Sequence, residues 1–383
     1  MRMSEAQVNI AADRKPWAQK TETPFIQIKN ISKKYDGITV LDDVSIDIYK
    51  GEFFGLLGGS GSGKTTLLRV LAGFEQPDQG DIIINGTSIL NLAANRRPIN
   101  MMFQSYALFP HMNVRKNISF GLEQEKLSKA EIAERVAHYI HLVQLDDFAN
   151  RKPQQLSGGQ RQRVALARCL IKQPEFILLD EPMAALDNKL REQTQFELVA
   201  LQEQLGLTMM VVTHDQKEAM ALSTRIGVMQ AGKIEQIGEP QQIYNQPKNH
   251  FVANFIGAAN FFSARIKAIN VESQPIAIDT EFGTAHAILN RFSNTKIGQK
   301  MEFAIRPEYI NMHPRGTEVK LADDMLQAKA RVEDVAFRGE NSVYRLKLNS
   351  GQTCMVSSAQ ADISWDQEIS ISWQVKHMMF LMD

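Results

Sequence analysis

Three short runs of this sequence carry residue types that could do chemistry together. The first is Gly58-Gly59-Ser60-Gly61-Ser62-Gly63-Lys64-Thr65-Thr66. Glycines at this spacing, closed by a lysine and a hydroxyl residue, make a loop whose backbone N–H groups wrap phosphates without Cβ clashes. Lys64 can then reach the β- and γ-phosphates of a nucleotide, and the Thr65 hydroxyl can ligate Mg2+. The second run, FILLDEP at 176–182, delivers Asp180 and Glu181 at the end of an apolar strand. Ligands bind at the carboxyl ends of strands in open α/β sheets. Asp180 is thereby placed to hold Mg2+ through water, and Glu181 to polarise an attacking water. The third run, VVTHDQ, ends an apolar strand at His214. A neutral imidazole there can contact a γ-phosphate and the attacking water.

A fourth run poses a question. LSGGQRQRVALARCL at 156–170 opens with Ser157-Gly158-Gly159-Gln160 and continues as a helix. Exposed N–H groups and the positive end of the helix dipole favour an anion at such a start. One chain therefore carries two phosphate sites. Taken singly, each run has an ordinary reading: a glycine-rich turn, an acidic strand cap before a proline, a structural histidine. Their occurrence in one chain separates them from those readings.

The elements around the runs alternate. FIQIKNISKKY and VSIDIYKGEFFGLLG read as strands, GKTTLLRVLAGF as a helix, and DIIING as a further strand. KAEIAERVAHYIHLV has helical apolar spacing at Ile132, Val136, Ile140 and Val143. FILLD and TMMVVTHD are short continuous apolar runs, as in buried parallel strands. An α/β core with antiparallel structure near its start follows for residues 25–255. Beyond 256, FFSARIKAI, MEFAIRP, ARVEDVAF, SVYRLKL and EISISWQV are short strands broken by Gly, Pro, Asn and Asp. They predict an all-β module, a small barrel or barrels, over 256–383. Residues 1–24 are polar, lack an apolar signal-peptide core and are expected to be a disordered tail.

Composition excludes several function classes. Lysine plus arginine and aspartate plus glutamate number 43 each, so there is no general attraction to nucleic acid or acidic lipid. The β module holds 14 basic and 15 acidic residues without a basic stripe, so nucleic acid is not its expected partner. Cys169 and Cys354 have no metal-ligand spacing. They are expected to be buried thiols in a reducing compartment. No run of about 18 apolar residues occurs, so no membrane span is predicted.

On these motifs residues 25–255 resemble the nucleotide-binding subunit of ATP-binding-cassette (ABC) transporters. LSGGQ is that family's signature. Tyr35 of KKYDG matches the aromatic that stacks on adenine, and Gln104 of MMFQSYALFP the Q-loop glutamine that also serves the metal. AALD at 184–187 matches the D-loop, and His214 the switch histidine. The resemblance implies a P-loop NTPase cassette with a helical subdomain, using ATP and Mg2+. Two copies face head to tail, and the P-loop of one and Ser157, Gly158, Gly159 and Gln160 of the other clamp one ATP. That arrangement would explain the two phosphate sites. Lys64, Glu181 and His214 would be the catalytic residues. Ala184 and Ser62 depart from common family residues without touching the chemistry.

The tail, through FAIRPEYI at 303–310 and GENSVYRLKLNSGQ, is similar to the C-terminal OB-like, TOBE-type regulatory domain of importer ATPases for sugars, polyamines and iron. LAGFEQPDQGDI and RRPINMMFQSYALFPHMNV resemble the polyamine branch most. The resemblance implies two integral membrane permease subunits, a solute-binding protein reached indirectly, and a peripheral place on the cytoplasmic face of a bacterial inner membrane. It also implies that 103–114 lines a groove for a permease helix. Alternatives are an importer ATPase for another small solute, a soluble ABC ATPase of DNA repair or translation, and an ATP sensor without turnover. The absence of heptads and of a second cassette disfavours the soluble ATPase, and Glu181 with His214 disfavours the sensor.

Overall fold

In the computed structural model, residues 23–268, 276–287, 296–314, 322, 324–359 and 363–381 are described. All but the last two residues of the polar tail expected over 1–24 lie outside them. The chain divides into two compact units, one through Pro240 and one from Gln241.

The first unit opens with β1 (Ile26–Tyr35), β2 (Ile38–Ile48) and the fully buried β3 (Phe53–Gly58). Helix α1 (Lys64–Ala72), β4 (Gln79–Ile84), β5 (Thr87–Ser88) and β6 (Ile99–Met102) follow. Three helices come next: α2 (Val114–Ser119), α3 (Lys129–Leu142) and α4 (Gly158–Leu170). The unit then alternates β7 (Phe176–Asp180), α5 (Asn188–Leu205), β8 (Met209–Thr213), α6 (Gln216–Leu222), β9 (Arg225–Gln230) and β10 (Lys233–Gly238).

Two sheets result. An antiparallel one has the order β2-β1-β4-β5, and a second has the order β10-β9-β3-β8-β7-β6. In the second sheet β9, β3, β8, β7 and β6 run parallel and only β10 is reversed. The continuous apolar runs make this possible, because strands covered on both faces need no alternation. Phe176–Leu179 and Met209–Val212 are all buried. Leu57 pairs with Thr213, Asp180 with Val212 and Met102 with Leu179, so the carboxyl ends of β3, β8, β7 and β6 lie along one edge. That alignment converges residues from distant parts of the chain. Helices α2, α3 and α4 share a core in which Val136, Ile140, Val164 and Ile118 are buried. Helix α3 spans the expected stretch, opened by a Ser128/Glu131 capping box.

The second unit has helices α7 (Pro240–Asn245) and α8 (His250–Phe255) before its strands. Its strands are β11 (Asn260–Ala268), β12 (Ile276–Thr280), β13 (Gly283–Ala287), β14 (Lys300–Ile305) and β15 (Asn311–Pro314). They continue as β16 (Met325–Phe337), β17 (Ser342–Leu348), β18 (Thr353–Ser358), β19 (Glu368–Gln374) and β20 (Met379–Leu381). They pair as two five-stranded antiparallel sheets, β13-β12-β11-β14-β20 and β15-β19-β16-β17-β18. Phe262 of β11 stacks on Trp373 of β19 with centroids 6.2 Å apart, so one core joins both sheets. The compact unit begins earlier than the change of texture at 256. The reason is Arg306, fully buried, whose guanidinium donates to the carbonyls of Tyr244, Ala253, Gly257 and Ala258 and ties α7 and α8 to the strands.

Both cysteines are free and buried, and burial pushes each thiol up to about 12, which leaves them unreactive.

Candidate active site

The loop between β3 and α1 is built by its glycines. Gly61 and Gly63 have φ of 75° and 105°, a region that β-carbons disfavour. A Cβ on Gly63 would lie 2.7 Å from the Val40 carbonyl oxygen, whereas one on Gly59 or Gly61 meets nothing within 4 Å. The inner glycine thus serves the fold and the outer ones leave open space at the mouth of the loop. Ser60 and Thr65 are exposed there, Thr66 is half-buried and Ser62 is buried. Lys64 is buried and donates to the carbonyls of Gly58 and Gly59 at 2.8 Å each and to Ser62 Oγ at 3.3 Å. Burial lowers its pKa, and the nearby Glu181 and Asp180 carboxylates push it back up. An ammonium held on loop carbonyls beside open space fits a polyphosphate, for which it would exchange those carbonyls for phosphate oxygens.

Along the aligned strand ends the structure gathers the other residues. Asp180 ends β7, half-buried; burial first, and then the Glu181 charge, raise its pKa. Glu181 follows with φ 44°, a left-handed conformation held by its N–H donating to the Val212 carbonyl at 2.8 Å. Strain of this kind costs about 1–3 kcal/mol and collects at functional sites. Its carboxylate is gripped from two sides. Gln104 Nε2 donates to Oε2 at 2.7 Å, and His214 Nδ1 lies 2.7 Å from Oε1. Gln104 comes just after β6 and His214 just after β8, the strands flanking β7. The Gln104 amide nitrogen is engaged by Glu181, so its carbonyl oxygen is the atom suited to a metal. Thr65, Gln104 and Asp180 supply a hydroxyl, an amide oxygen and a carboxylate, the hard oxygen donors that Mg2+ prefers.

The signature turn stands apart from this cluster in its contacts. Ser157 caps α4, its hydroxyl accepting from Gln160 N–H at 3.3 Å while Gln160 Oε1 accepts from Ser157 N–H at 2.9 Å. Gln160 is thus engaged in a capping box. Gly158 and Gly159 face Leu186 and Leu190, where a Cβ would come within 3.3 and 3.2 Å. Asp187 of the D-loop caps α5 through Leu190 N–H. Tyr35 ends β1 and is 38% exposed, with the Lys33 ammonium 5.2 Å from its ring centre.

The ABC transporter family profile matches residues 41–184, and the TOBE domain profile matches 303–381. The putrescine transport ATP-binding protein PotG of Escherichia coli K12 is 46% identical over 370 residues, 95% of this chain and 96% of its own. The spermidine/putrescine import ATP-binding protein PotA of Rubrobacter xylanophilus is 40% identical, covering 97% of both chains. This chain belongs to the ABC transporter family. Among solved structures, cbiO1 from Clostridium perfringens, part of the ABC transporter complex cbiONQ, superposes on 58% of this chain and 91% of its own, with TM-score 0.55 and 30% identity. A dimeric ATP-binding cassette in a post-hydrolysis state with ADP and Pi covers 56% of this chain and 98% of its own, with TM-score 0.50 and 33% identity.

In this ABC chain several residues at the site were not singled out from sequence. Arg168 of α4 donates to the carbonyls of Tyr106 and Ala107, joining the signature helix to the Q-loop. Tyr106 and Ala107 both have left-handed φ, 61° and 44°. Tyr106 lies in the 103–114 run that the resemblance assigns to the permease groove, but it is 5% exposed and donates to the Pro182 carbonyl at 3.1 Å. It belongs to the core beneath the site. The exposed aromatics of this region are Phe74, Phe103 and Phe120, with Phe74 stacked on Phe103. An arginine inside an amphipathic helix and a tyrosine in a turn have no spacing that would have revealed these contacts.

Proposed function

We propose that this chain is the ATP-hydrolysing, energy-coupling subunit of a bacterial polyamine importer. The observation that carries the chemistry is the grip of Gln104 and His214 on Glu181, beside Asp180 and along the same sheet edge as the P-loop. Support for the cargo comes from the putrescine and spermidine importer names of relatives that span nearly the whole chain.

In this reading ATP lies on the P-loop, with Lys64 and the backbone N–H groups of 59–66 on its β- and γ-phosphates and Tyr35 against adenine. Thr65, Gln104 and Asp180 would hold Mg2+, which neutralises phosphate charge. Glu181 polarises the attacking water. His214 fixes one Glu181 oxygen and offers its other nitrogen to the γ-phosphate. Gln104 fixes the second oxygen and so links the reacting carboxylate to the aromatic surface around Phe103. Ser157, Gly158, Gly159 and Gln160 of a second copy close the site from the far side. The donor N–H groups at the start of α4 suit that role. ATP binding then closes the pair and hydrolysis opens it.

Two permease subunits are the membrane partners, received by the exposed Phe74 and Phe103, and a solute-binding protein acts indirectly. No helix among the described residues is long and apolar enough to cross a membrane. In this reading the chain works from the cytoplasmic face through its partners, as the import role of its relatives suggests. Residues 25–255 act as the cassette and the β module over 256–383 as a regulatory domain.

The test is reconstitution of the full chain with its copurifying membrane subunits in vesicles. Putrescine with its binding protein should stimulate ATPase activity several-fold, and Glu181→Gln should bind ATP yet lower turnover by about 100-fold or more. Stimulation by an unrelated solute alone would sink the cargo assignment. Near-normal turnover in Glu181→Gln would remove Glu181 from the base role.

A further inference from the structure

Behind Glu181 lies a second carboxyl that the reaction described above does not use. Glu218 of α6 is 3% exposed. Its Oε2 accepts from Thr213 Oγ1 at 2.6 Å, and that hydroxyl in turn accepts from Asp215 N–H at 3.0 Å. Asp215 Oδ1 closes the circuit by accepting from the N–H groups of Lys217 and Glu218 at 2.8 and 3.1 Å. His214 stands at the centre of this turn, between Thr213 and Asp215. The other oxygen of Glu218, Oε1, is buried with no hydrogen-bond partner.

An orphaned buried carboxyl oxygen is expensive unless something unseen satisfies it. Glu218 borders a cavity of about 100 Å³ whose lining includes Glu181, Arg191, Thr213, His214 and Asp215. That is room for water, and the wall offers more than the two to four polar partners a buried water needs.

We propose that Glu218 is a positioning residue for hydrolysis: it holds the Thr213–Asp215 turn that aims His214, and through water in the shared cavity it orients Glu181 from behind. The inference rests on the reading of Glu181 as the base. Burial pushes the Glu218 carboxyl up to about 7, with Asp215 and Glu181 adding to the rise and Thr213 and Arg191 opposing it. The neutral acid suits the geometry. Oε2 accepts from Thr213, and a proton on Oε1 is donated into the cavity. When Glu218 ionises, a third negative charge joins those of Glu181 and Asp215 around that cavity. Arg191 is the cation there, already bonded to Asp215 at 3.3 Å, and the buried Tyr106 hydroxyl on the Q-loop side feels the same charge. Rising pH through about 7 should therefore loosen the Glu181–His214 arrangement and slow turnover.

The experiment uses the full chain, with ATP turnover and ATP affinity measured from about pH 6.5 to about 8.5. Glu218→Ala should lower kcat about tenfold or more while ATP affinity and melting temperature stay close to the unmodified values. Glu218→Gln mimics the neutral acid, accepting from Thr213 and donating into the cavity. It should restore kcat at neutral pH and abolish the decline on the alkaline side. An unchanged kcat in Glu218→Ala, or an alkaline limb that persists in Glu218→Gln, overturns the proposal. If Glu218→Ala fails to fold, the pH profile of Glu218→Gln decides alone. Glu181→Gln run in parallel separates the two failures. If it is dead while Glu218→Ala is normal, only the role of Glu218 falls; if it turns over normally, the role of Glu181 falls first.

Discussion

Two glycines of the phosphate loop should respond to alanine in opposite ways. Gly63 has φ 105°, and a Cβ there would meet the Val40 carbonyl oxygen at 2.7 Å, Met229 Cε at 2.9 Å and Leu41 Cδ2 at 3.0 Å. A carbonyl in a paired strand cannot swing away as a flexible side chain would. The backbone conformation costs a non-glycine residue about 1–3 kcal/mol, and forced overpacking adds about 1–3 kcal/mol. Gly63→Ala should then lose roughly 2–6 kcal/mol. At about 2–4 °C per kcal/mol for a unit of this size, the melting temperature falls by about 4 °C at the least, and by more than 10 °C toward the upper end. Gly59 has no neighbour within 4 Å of a built Cβ. Gly59→Ala should melt within about 1 °C of the unmodified chain. Its methyl group would nevertheless stand in the phosphate cradle, so ATP affinity should drop about tenfold, read by a fluorescent nucleotide titration. Scanning calorimetry without nucleotide measures the first effect cleanly. If Gly63→Ala melts like the unmodified chain, or if Gly59→Ala is destabilised as much, the division between structural and ligand-facing glycines is wrong.

Three further outcomes follow from the same structure. Lys64→Ala and Ser157→Arg should each kill the homodimer, yet purified heterodimers of the two should regain ATPase activity, because the between-chains geometry leaves one site intact; activity only in the unmodified/double-mutant pair would refute that geometry. Arg306→Met strips donors from the carbonyls of Tyr244, Ala253, Gly257 and Ala258 and should destabilise the second unit by about 3 kcal/mol. ATP binding should survive, and its loss would argue against independent units. Because Glu218 titrates near 7 in the fold against an ordinary value of 4.5, the native state holds the extra proton between those values. Stability should fall as pH rises through that window and level off above about 7, by a total on the order of 3 kcal/mol. Glu218→Gln should flatten this slope in urea titrations, and an unchanged slope would place the titration elsewhere.

Most residues of the candidate site are legible from spacing alone. The P-loop, Asp180 and Glu181 after FILLD, His214 after VVT and the serine-glycine start of α4 are all local, and local pattern carries local structure. Buried parallel strands announce themselves as continuous apolar runs, and α3 by its 3.6-residue period. Short strands such as β13 and β15 lack a clear signal because GTAHA alternates only small residues and NMHP holds a single large apolar one, with none of the β-branched residues that mark strands except Thr284. Helix α5 went undetected because its buried positions include Thr194 and Gln202 beside Leu198, which blurs the stripe. The boundary near 256 marks where the strands begin, while α7 and α8 belong to the second unit through a buried arginine that no composition shift signals.

What tertiary structure alone decided is the relation between the runs. The sequence named Gln104, Glu181 and His214 separately; the order β8-β7-β6 made them a single cluster with two 2.7 Å contacts. It also turned Tyr106 inward, tied Arg168 to the Q-loop, and left Glu218 with an unpaired oxygen on the small cavity that Glu181 also lines. Such contacts join residues far apart in the chain. Their partners are set by strand order and register, and those follow from how whole apolar faces pack, which no short window of sequence contains.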